Sequence, residues 1–309
     1  MKSLFSFMQQ DLSAGEIPAG AEALVDKLKL EYGQAMLGVL MYGSCRRKRD
    51  ASEGLVDLLV IVSNYRAAFG SGAMALANFL LPPNVFYLQA EQQGTTLRCK
   101  YAVISLEQFA RRARSRIDHY FWARFCQPAR LVSGEQATLD ALASSRADAA
   151  ISFARRIAPL VERAETAEQF WVRALSQTYR CELRPEPPDN ARRLIEHEPA
   201  YWKQLTVLLV SQDIGLKTSG QDLYIGDHGP LRRLGQRLAW FCRRPNGKLF
   251  NLARLFKAAG TFSNGIDYIV WKVERHSGVR IEPTERMRRY PRLAAWGLAW
   301  RMWREGGFR

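Results

Sequence analysis

The sequence has few of the residues that most often hold transition metals or form cross-links. It contains 4 histidines and 5 cysteines in 309 residues, and no two cysteines form a Cys-x-x-Cys pair. The cysteine spacing therefore predicts neither a zinc site nor a disulfide framework, and a reducing compartment is the simplest interpretation. The histidines are scattered, and none has the spacing of a metal ligand.

Long apolar segments are also missing. No run approaches the roughly 18 apolar residues that identify a membrane-spanning helix. The N-terminal stretch MKSLFSFMQQDLSAGEIPAG has too short an apolar segment for a secretory signal. Any contact with a membrane is therefore expected to be peripheral.

Acidic residues are scarce relative to basic ones, and the imbalance is uneven along the chain. The formal net charge is +15, from 45 Lys and Arg against 30 Asp and Glu. Residues 230–309 hold 18 of the basic and only 5 of the acidic residues, a net charge of +13. Such asymmetry predicts a polyanionic partner, either nucleic acid or an anionic lipid surface.

The order of periodic segments predicts an α+β protein with a mixed sheet near the N-terminus. The predicted elements are a helix at 21–36, strands at 37–44 and 54–62, a helix at 67–81, strands at 84–91 and 95–105, and a basic helix at 106–125. We predict three parts: a mixed-sheet domain at 1–135, a mainly helical domain at 136–283, and a basic tail at 284–309.

The second part is predicted to be helical at 136–182 and 199–216. Between these helices, residues 181–193 read CELRPEPPDNARR, with three prolines in four residues. Because proline cannot continue a helix, this stretch is the best candidate for a linker.

A Gly-Ser turn and a single carboxylate stand out at residues 41–62, MYGSCRRKRDASEGLVDLLVIV. In nucleotidyltransferases of the DNA polymerase beta type, such a turn holds a triphosphate and the next strand carries metal-binding carboxylates. Glycine lets the backbone approach phosphate closely. Gly43, Ser44 and Asp57 fit these positions. The basic residues expected to face a polyphosphate are Arg46, Arg47, Lys48 and Arg49.

The same residues also fit a plain turn followed by an aspartate that bonds the backbone. Polymerase-type sites have two carboxylates two residues apart, whereas Leu55 and Leu59 flank Asp57. Second and third metal carboxylates cannot be assigned, and Glu91, Asp50 and Glu53 are predicted to be surface residues.

Residues 100–132, KYAVISLEQFARRARSRIDHYFWARFCQPARLV, resemble a block of the mitochondrial translocator assembly and maintenance family, the peripheral phosphatidate cytidylyltransferases. The block has a Lys-Tyr-x-Val-Ile-Ser strand, an amphipathic helix and Tyr-x-x-x-Arg-x-x-x-Pro, matched here by Lys100–Ser105, Tyr120, Arg124 and Pro128. The family also has Tyr-Gly-Ser and a single Asp opening an apolar strand, like Tyr42–Ser44 and Asp57. A residue that is glycine in the family is Cys45 here. The chain resembles a divergent, bacterial-type member.

The resemblance implies a polymerase-beta-like sheet and the reaction of CTP with phosphatidate to give CDP-diacylglycerol and pyrophosphate. Tyr42, Gly43, Ser44 and Arg46 would bind the nucleotide, and Asp57 would bind Mg²⁺. Lys100 and Arg124 would stabilise the phosphates and the developing negative charge. The resemblance also implies a cytoplasmic protein, peripheral on the inner face of the membrane.

The last residues, RMRRYPRLAAWGLAWRMWREGGFR, combine arginine with a stripe of apolar side chains at helical spacing. The pattern predicts an amphipathic helix with tryptophan at the depth of lipid headgroups and arginine on lipid phosphates. The residues predicted to bind the membrane are Arg288, Arg289, Arg292, Trp296, Trp300 and Trp303. Packing of the stripe in the core and binding of nucleic acid remain alternatives.

Two other functions are compatible with the sequence. One is a nucleotidyltransferase that acts on RNA or a small-molecule acceptor and has no need of the tail. The other is an inactive relative that uses its basic half to bind nucleic acid, with salt-sensitive affinity. No feature of the sequence indicates an oligomeric state.

Overall fold

A computed structural model describes residues 3–47, 50–52, 54–70, 72–182, 189–261 and 284–285. It is an α+β structure with a five-stranded mixed sheet and many helices, as the sequence predicts. The helices are α1 (Leu4–Ser13), α2 (Ala21–Tyr32), α3 (Tyr65–Phe69), α4 (Gly72–Leu80), α5 (Leu106–Ala113), α6 (His119–Phe125), α7 (Gln136–Ile157), α8 (Ala167–Tyr179), α9 (Asn190–Glu196), α10 (Pro199–Val210) and α11 (Pro230–Thr261). The strands are β1 (Met36–Tyr42), β2 (Leu55–Val62), β3 (Asn84–Gln92), β4 (Thr95–Ser105), β5 (Ala129–Gly134), β6 (Glu165–Thr166), β7 (Leu216–Thr218) and β8 (Leu223–Gly226).

The main sheet has the strand order β3-β4-β2-β1-β5. Strands β2 and β4 pair in parallel, and the other neighbours pair antiparallel. The strands predicted at 37–44, 54–62, 84–91 and 95–105 are confirmed as β1, β2, β3 and β4. They were predictable because their apolar runs are bounded by glycine, proline and polar turns.

Both faces of the sheet are covered, which explains the continuous apolar run of β2. On one face, Leu59 and Ile61 join a buried cluster with residues of α1, α5, α6 and α7. On the other face, Val56, Leu58 and Val60 pack with α2. A strand buried on both faces has no solvated side, so it is apolar at nearly every position. Asp57, near the start of β2, is the polar exception.

Two predicted helices are each divided in the structure. The helix predicted at 67–81 is α3 and α4, because Gly70 adopts a left-handed conformation that ends α3. The helix predicted at 106–125 is α5 and α6. Asp118 caps the second helix by accepting a hydrogen bond from the Phe121 backbone N–H at 3.2 Å. Beyond this break, α6 packs against α7 and α8, and its Phe125 contacts Tyr42 at the end of β1.

The second half of the described chain is mainly helical, as predicted, but it also contains a small sheet. The strand order of this sheet is β6-β8-β7, and both pairs of neighbouring strands are antiparallel. They have only two to four residues each, too few for an alternating pattern to be recognised in the sequence. The helix predicted at 199–216 is shorter in the structure. It ends at Val210, and the last predicted residue, Leu216, begins β7.

One buried cluster spans both predicted domains. It contains Leu4 and Phe7 of α1 together with Phe153 of α7 and Trp171 of α8. The division of the chain at residue 135 stays a prediction, and the predicted helix at 284–309 lies almost wholly outside the described residues. In the part of the chain that the structure describes, none of the helices is long and apolar enough to cross a bilayer.

A fully buried arginine holds the segment that joins α6 to β5. Arg146 of α7 donates through Nε to the Phe125 carbonyl at 3.1 Å, and through Nη2 to the Gln127 carbonyl and to Asp11 Oδ2, both at 2.7 Å. Asp11 Oδ2 also accepts from the Ala129 backbone N–H at 3.0 Å. The pair therefore satisfies backbone groups at both ends of a buried turn.

We expect Arg146→Met to lower the free energy of unfolding by about 3–5 kcal/mol, because it leaves the Asp11 carboxylate buried without its cation. Urea denaturation measures the change. Arg155→Met, at an exposed position of the same helix, is the control and should change stability by less than about 0.5 kcal/mol. Equal effects of the two substitutions would contradict the structural role of the buried pair.

Candidate functional site

The Gly-Ser turn directly follows β1 and lies against the start of β2. Gly43 opens a 3-10 turn (Gly43–Arg47) with a backbone φ of +78°, a left-handed conformation that glycine adopts without strain. A Cβ placed on Gly43 would lie 3.6 Å from Asp57 Oδ2. The structure thus brings together the turn and the carboxylate that the sequence predicts as partners.

Cys45 joins the turn to β2. Its buried thiol donates to the Tyr42 carbonyl at 3.0 Å, and its sulfur accepts from the Asp57 backbone N–H at 3.3 Å. Cys45 therefore fixes the turn beside the carboxylate. Because Cys45 is buried, its sulfur is protected from solvent and acts as a structural contact.

Asp57 and Lys100 are direct neighbours across the parallel pair of β2 and β4. Residues paired in this way project from the same face of the sheet. This is the face that also carries Leu59 and Ile61 further along β2. Both side chains are half-buried, so the sheet presents one anion and one cation side by side at the edge of the core.

Arg124 of α6 lies in the same region, where it contacts two aromatic rings. Its guanidinium lies 5.4 Å from the ring centroid of Tyr42 and 5.0 Å from that of Tyr120. Tyr120 raises the pKa of Arg124 against the effect of burial, and Tyr42, Asp57 and Glu182 raise it further. Burial raises the pKa of Tyr42, although Arg124 opposes this. Arg124 is therefore held as a permanent cation beside Asp57.

A cleft of about 430 Å³ lies in front of the turn. Arg46 lines it and forms an ion pair with Glu198, the residue that precedes α10. The wall facing the turn comes from the helical half of the chain. The polar residues lining the cleft are Gly43, Ser44, Arg46, Tyr120, Arg124, Gln127, Thr178, Tyr179, Glu182, Asn190, Arg193, His197 and Glu198.

The structure brings most of the predicted site residues together. Gly43, Ser44, Arg46 and Arg124 line one cleft, and Asp57 adjoins its glycine. Tyr42 is buried, where its ring contacts Arg124. Lys100 is placed by its register opposite Asp57. The side chain of Arg47, all of Lys48 and Arg49, and the residues predicted to bind a membrane (Arg288, Arg289, Arg292, Trp296, Trp300 and Trp303) lie outside the described residues.

Sequence reasoning missed the contribution of the second half of the chain. Glu182 and Arg193 line the cleft, although residues 181–193 are predicted only as a linker, and His197 and Glu198 line it from the segment that follows. Tyr120 carried the resemblance but had no assigned role. One local signal was available: Tyr120 and Arg124 are four residues apart and therefore share one face of α6.

A magnesium ion shared with a nucleotide would find one carboxylate donor beside the turn. Mg²⁺ in such sites commonly takes one or two carboxylates and completes its shell with substrate phosphates and water. Asp57 supplies one carboxylate here. Within the described ranges no group of three or more His, Cys, Asp or Glu side chains is arranged to hold a metal. Asp57 is therefore the residue that would hold the ion.

No protein-family model matches this chain, and no curated protein is significantly similar to it.

We expect Gly43→Ala to weaken CTP binding by about tenfold or more, since it places a methyl group beside Asp57 and costs about 1–2 kcal/mol in left-handed backbone strain. Isothermal titration with CTP and Mg²⁺ measures the affinity.

Gly70→Ala is the matched control. Gly70 has a similar φ of +61°, and a Cβ there would meet nothing within 4 Å. It should lower stability as Gly43→Ala does and leave CTP affinity unchanged. Equal CTP affinity in both variants would mean that the turn does not bind the nucleotide.

Proposed function

We propose that the protein is a nucleotidyltransferase that binds a nucleoside triphosphate at the Gly43–Ser44 turn. The observation that carries this proposal is the contact between the turn and Asp57, with Gly43 in a conformation suited to glycine. Backbone N–H groups of such a turn bind phosphate oxygens, and a carboxylate beside them binds the accompanying cation. The cleft volume of about 430 Å³ is within the roughly 300–1,000 Å³ of small-ligand sites.

The family resemblance implies that the reaction is cytidylyl transfer to phosphatidate. An oxygen of the acceptor phosphate forms a bond to the α-phosphorus of CTP. The bond from that phosphorus to the oxygen bridging to the β-phosphate breaks, and pyrophosphate leaves with the electron pair. The products are CDP-diacylglycerol and pyrophosphate, and no proton must be removed from an ionised acceptor.

The chain's own residues would act by orientation and charge. Gly43 and Ser44 would hold the triphosphate, and Arg46 would contact it when released from Glu198. Arg124 and Lys100 would stabilise negative charge that moves onto the leaving pyrophosphate. Mg²⁺, held by Asp57, would supply charge neutralisation at the phosphates.

The outer face of α11 supports action at an anionic membrane surface. Residues 230–261 contain eight Lys or Arg and no Asp or Glu. The helix also exposes a stripe of large apolar side chains: Leu231, Leu234, Leu238, Phe241, Leu249 and Leu252. Exposed apolar side chains flanked by basic residues are typical of a helix lying on anionic lipids. This surface adds to the tail that the sequence predicts, and it is consistent with a peripheral protein on the inner face of a membrane.

We expect Asp57→Asn to abolish formation of CDP-diacylglycerol, with a fall in rate of about 10³-fold or more, because the metal carboxylate is lost. A single-turnover assay with labelled CTP, Mg²⁺ and phosphatidate in mixed micelles measures the product. Asp26→Asn, at an exposed position on α2, is the control and should react like the native protein.

Three results of this assay are informative. A lipid product that requires both Mg²⁺ and Asp57 supports the proposed reaction. Nucleotide transfer to RNA or a small molecule, with no lipid product, would support nucleotidyltransferase activity but show that phosphatidate is not the acceptor. A native protein that reacts with no nucleotide, and instead binds nucleic acid in a salt-dependent way, would overturn the proposal.

We expect the double variant Leu234→Glu, Leu238→Glu to bind vesicles containing phosphatidylglycerol about tenfold more weakly, because it places charge on the apolar stripe. Co-sedimentation of the full chain with vesicles measures binding. Leu30→Glu, at a strongly exposed position of α2, is the control. Unchanged binding of the double variant would assign membrane contact elsewhere, with the predicted tail as the next segment to test.

A further inference from the structure

A second cavity lies next to the cleft, between α5, α6 and the C-terminal half of α11. Its volume is about 240 Å³, below the roughly 300–1,000 Å³ of sites for drug-sized ligands. Tyr120 lines both the cavity and the cleft. The cavity is therefore adjacent to the nucleotide site but has room for a small polar group rather than a second nucleotide.

Three arginines line this cavity: Arg111, Arg112 and Arg254. Arg112 forms an ion pair with Asp118, and Asp118 also caps α6. Arg111 pairs with Glu107 at the exposed rim. Asp118 is the only carboxylate that lines the cavity in the described part of the chain, so the cavity carries excess positive charge.

Of these three arginines, Arg254 is the one that forms no ion pair with a carboxylate of the described residues. Its guanidinium lies 4.8 Å from the ring centroid of Tyr120, and its Nη1 donates to Asn251 Oδ1 at 3.4 Å, a long hydrogen bond. Its Nε is buried and has no partner in the described structure. Arg254 is partly buried, and the carboxylate that acts on it, Asp118, is already paired with Arg112. An anion that enters the cavity would therefore lower the cost of burying this cation.

The pKa shifts of Arg254 and Lys257 are consistent with an excess of positive charge around the cavity. Burial lowers the pKa of Arg254, and Arg112 and Arg124 lower it further, against Asp118 and Tyr120. Burial, together with Arg254 and Arg112, also lowers the pKa of Lys257 to about 8. An anion bound in the cavity would oppose the lowering of the pKa of Arg254.

Tyr120 connects this cavity to the proposed chemistry. Its ring contacts Arg124, which lines the cleft, and Arg254, which lines the cavity, with guanidinium-to-centroid distances of 5.0 Å and 4.8 Å. A phosphate bound at Arg254 would therefore lie one aromatic ring away from a phosphate bound at Arg124. The two proposed phosphate sites are therefore neighbours, as the sites of two substrates of one transfer reaction must be.

We propose that the cavity binds a phosphate monoester through Arg254, with Arg111 and Arg112 at its sides, and that this is the acceptor phosphate of the transfer reaction. The assignment of the acceptor rests on the proposed function, whereas the binding site itself does not. A phosphate monoester carries about −1.5 to −2 charges near neutral pH and offers several strong acceptor oxygens. Arginine binds such groups with paired N–H donors.

The rim of the cavity favours a lipid as the source of the phosphate. Ile117 and Phe250 line the cavity, and both side chains are exposed apolar groups. They would contact the glycerol and the first acyl carbons of a phosphatidate whose phosphate lies deeper. An inorganic or sugar phosphate would gain nothing from these side chains.

The test compares binding of three probes to the full chain by isothermal titration: dioctanoyl phosphatidate, inorganic phosphate and dioctanoyl phosphatidylcholine. We expect Arg254→Met to weaken binding of dioctanoyl phosphatidate by about tenfold or more, because a charge-assisted contact is lost. CTP affinity should change by less than about twofold, since Arg254 is not part of the cleft. Arg254→Lys should recover part of the loss.

Arg232→Met is the matched control, because Arg232 is an exposed arginine of the same helix. Arg111→Met serves as a second test variant, since its half-exposed side chain can be replaced without disturbing the stacking on Tyr120. Arg111→Met should weaken phosphatidate binding by about threefold. Circular dichroism establishes that each variant is folded.

The probes distinguish the possible outcomes. Tighter binding of dioctanoyl phosphatidate than of inorganic phosphate, with both dependent on Arg254, supports a lipid phosphate. Equal binding of the two, again dependent on Arg254, supports a site for free phosphate and removes the acceptor assignment. Phosphatidate binding that is unaffected by Arg254→Met and Arg111→Met, or equal binding of the phosphodiester lipid, overturns the monoester site.

The binding site and the proposed function can fail separately. If the native protein binds phosphatidate through Arg254 but transfers no cytidylyl group, the site stands and the proposed reaction is wrong. If it forms CDP-diacylglycerol and Arg254→Met has the same KM for phosphatidate, the reaction stands and the cavity is not the acceptor site.

Discussion

The buried pair of Arg146 and Asp11 is the interaction on which the geometry of the cleft depends. Arg146 of α7 and Asp11 of α1 bind the backbone at Phe125, Gln127 and Ala129. This short segment connects α6, which carries Tyr120 and Arg124, to β5, which pairs with β1. By fixing the connection, the pair sets the distance between the helical cations and the turn at the end of β1. The Tyr201 hydroxyl adds a third anchor by donating to the Cys126 carbonyl at 2.7 Å.

Charge in and around the cleft is arranged in two classes. Arg46 and Arg112 are paired with Glu198 and Asp118, so their contribution to the local potential is partly cancelled. Arg124 and Arg254 instead contact aromatic rings, and the charges of Asp57 and Glu182 also act on Arg124. Tyr120 therefore contacts one arginine of the cleft and one arginine of the cavity. Such a distribution attracts polyanions and orients them with respect to each other.

Cys45 restrains the Gly-Ser turn in a way that a glycine at the same position could not. A glycine after the Gly-Ser pair would leave the turn free to move relative to β2. Cys45 replaces that freedom with two contacts, one to the Tyr42 carbonyl and one to the Asp57 N–H. The backbone that would meet the triphosphate is thereby fixed to the strand that carries the metal carboxylate. Preorganisation of this kind reduces the entropy that binding must remove.

The sequence by itself determined four of the five strands of the main sheet and the proximity of Gly43 to Asp57. Both depend on local patterns: apolar runs between turn residues, and a turn that must return the chain to the adjacent strand. It also predicted Lys100 and Arg124 through the family resemblance. The division of the helix at 106–125 was missed, because the cap at Asp118 interrupts a pattern that remains helical in its spacing.

Only the tertiary structure decided which distant residues meet at the site. The register of β2 against β4 places Lys100 beside Asp57, and the packing of α10 and α11 brings Glu198 and Arg254 from far along the chain. Contacts between residues so distant in sequence leave no periodic signal, because they arise from the burial of side chains on several elements together. The local chain therefore encodes the turn and its carboxylate, and the shared core supplies the cations around them.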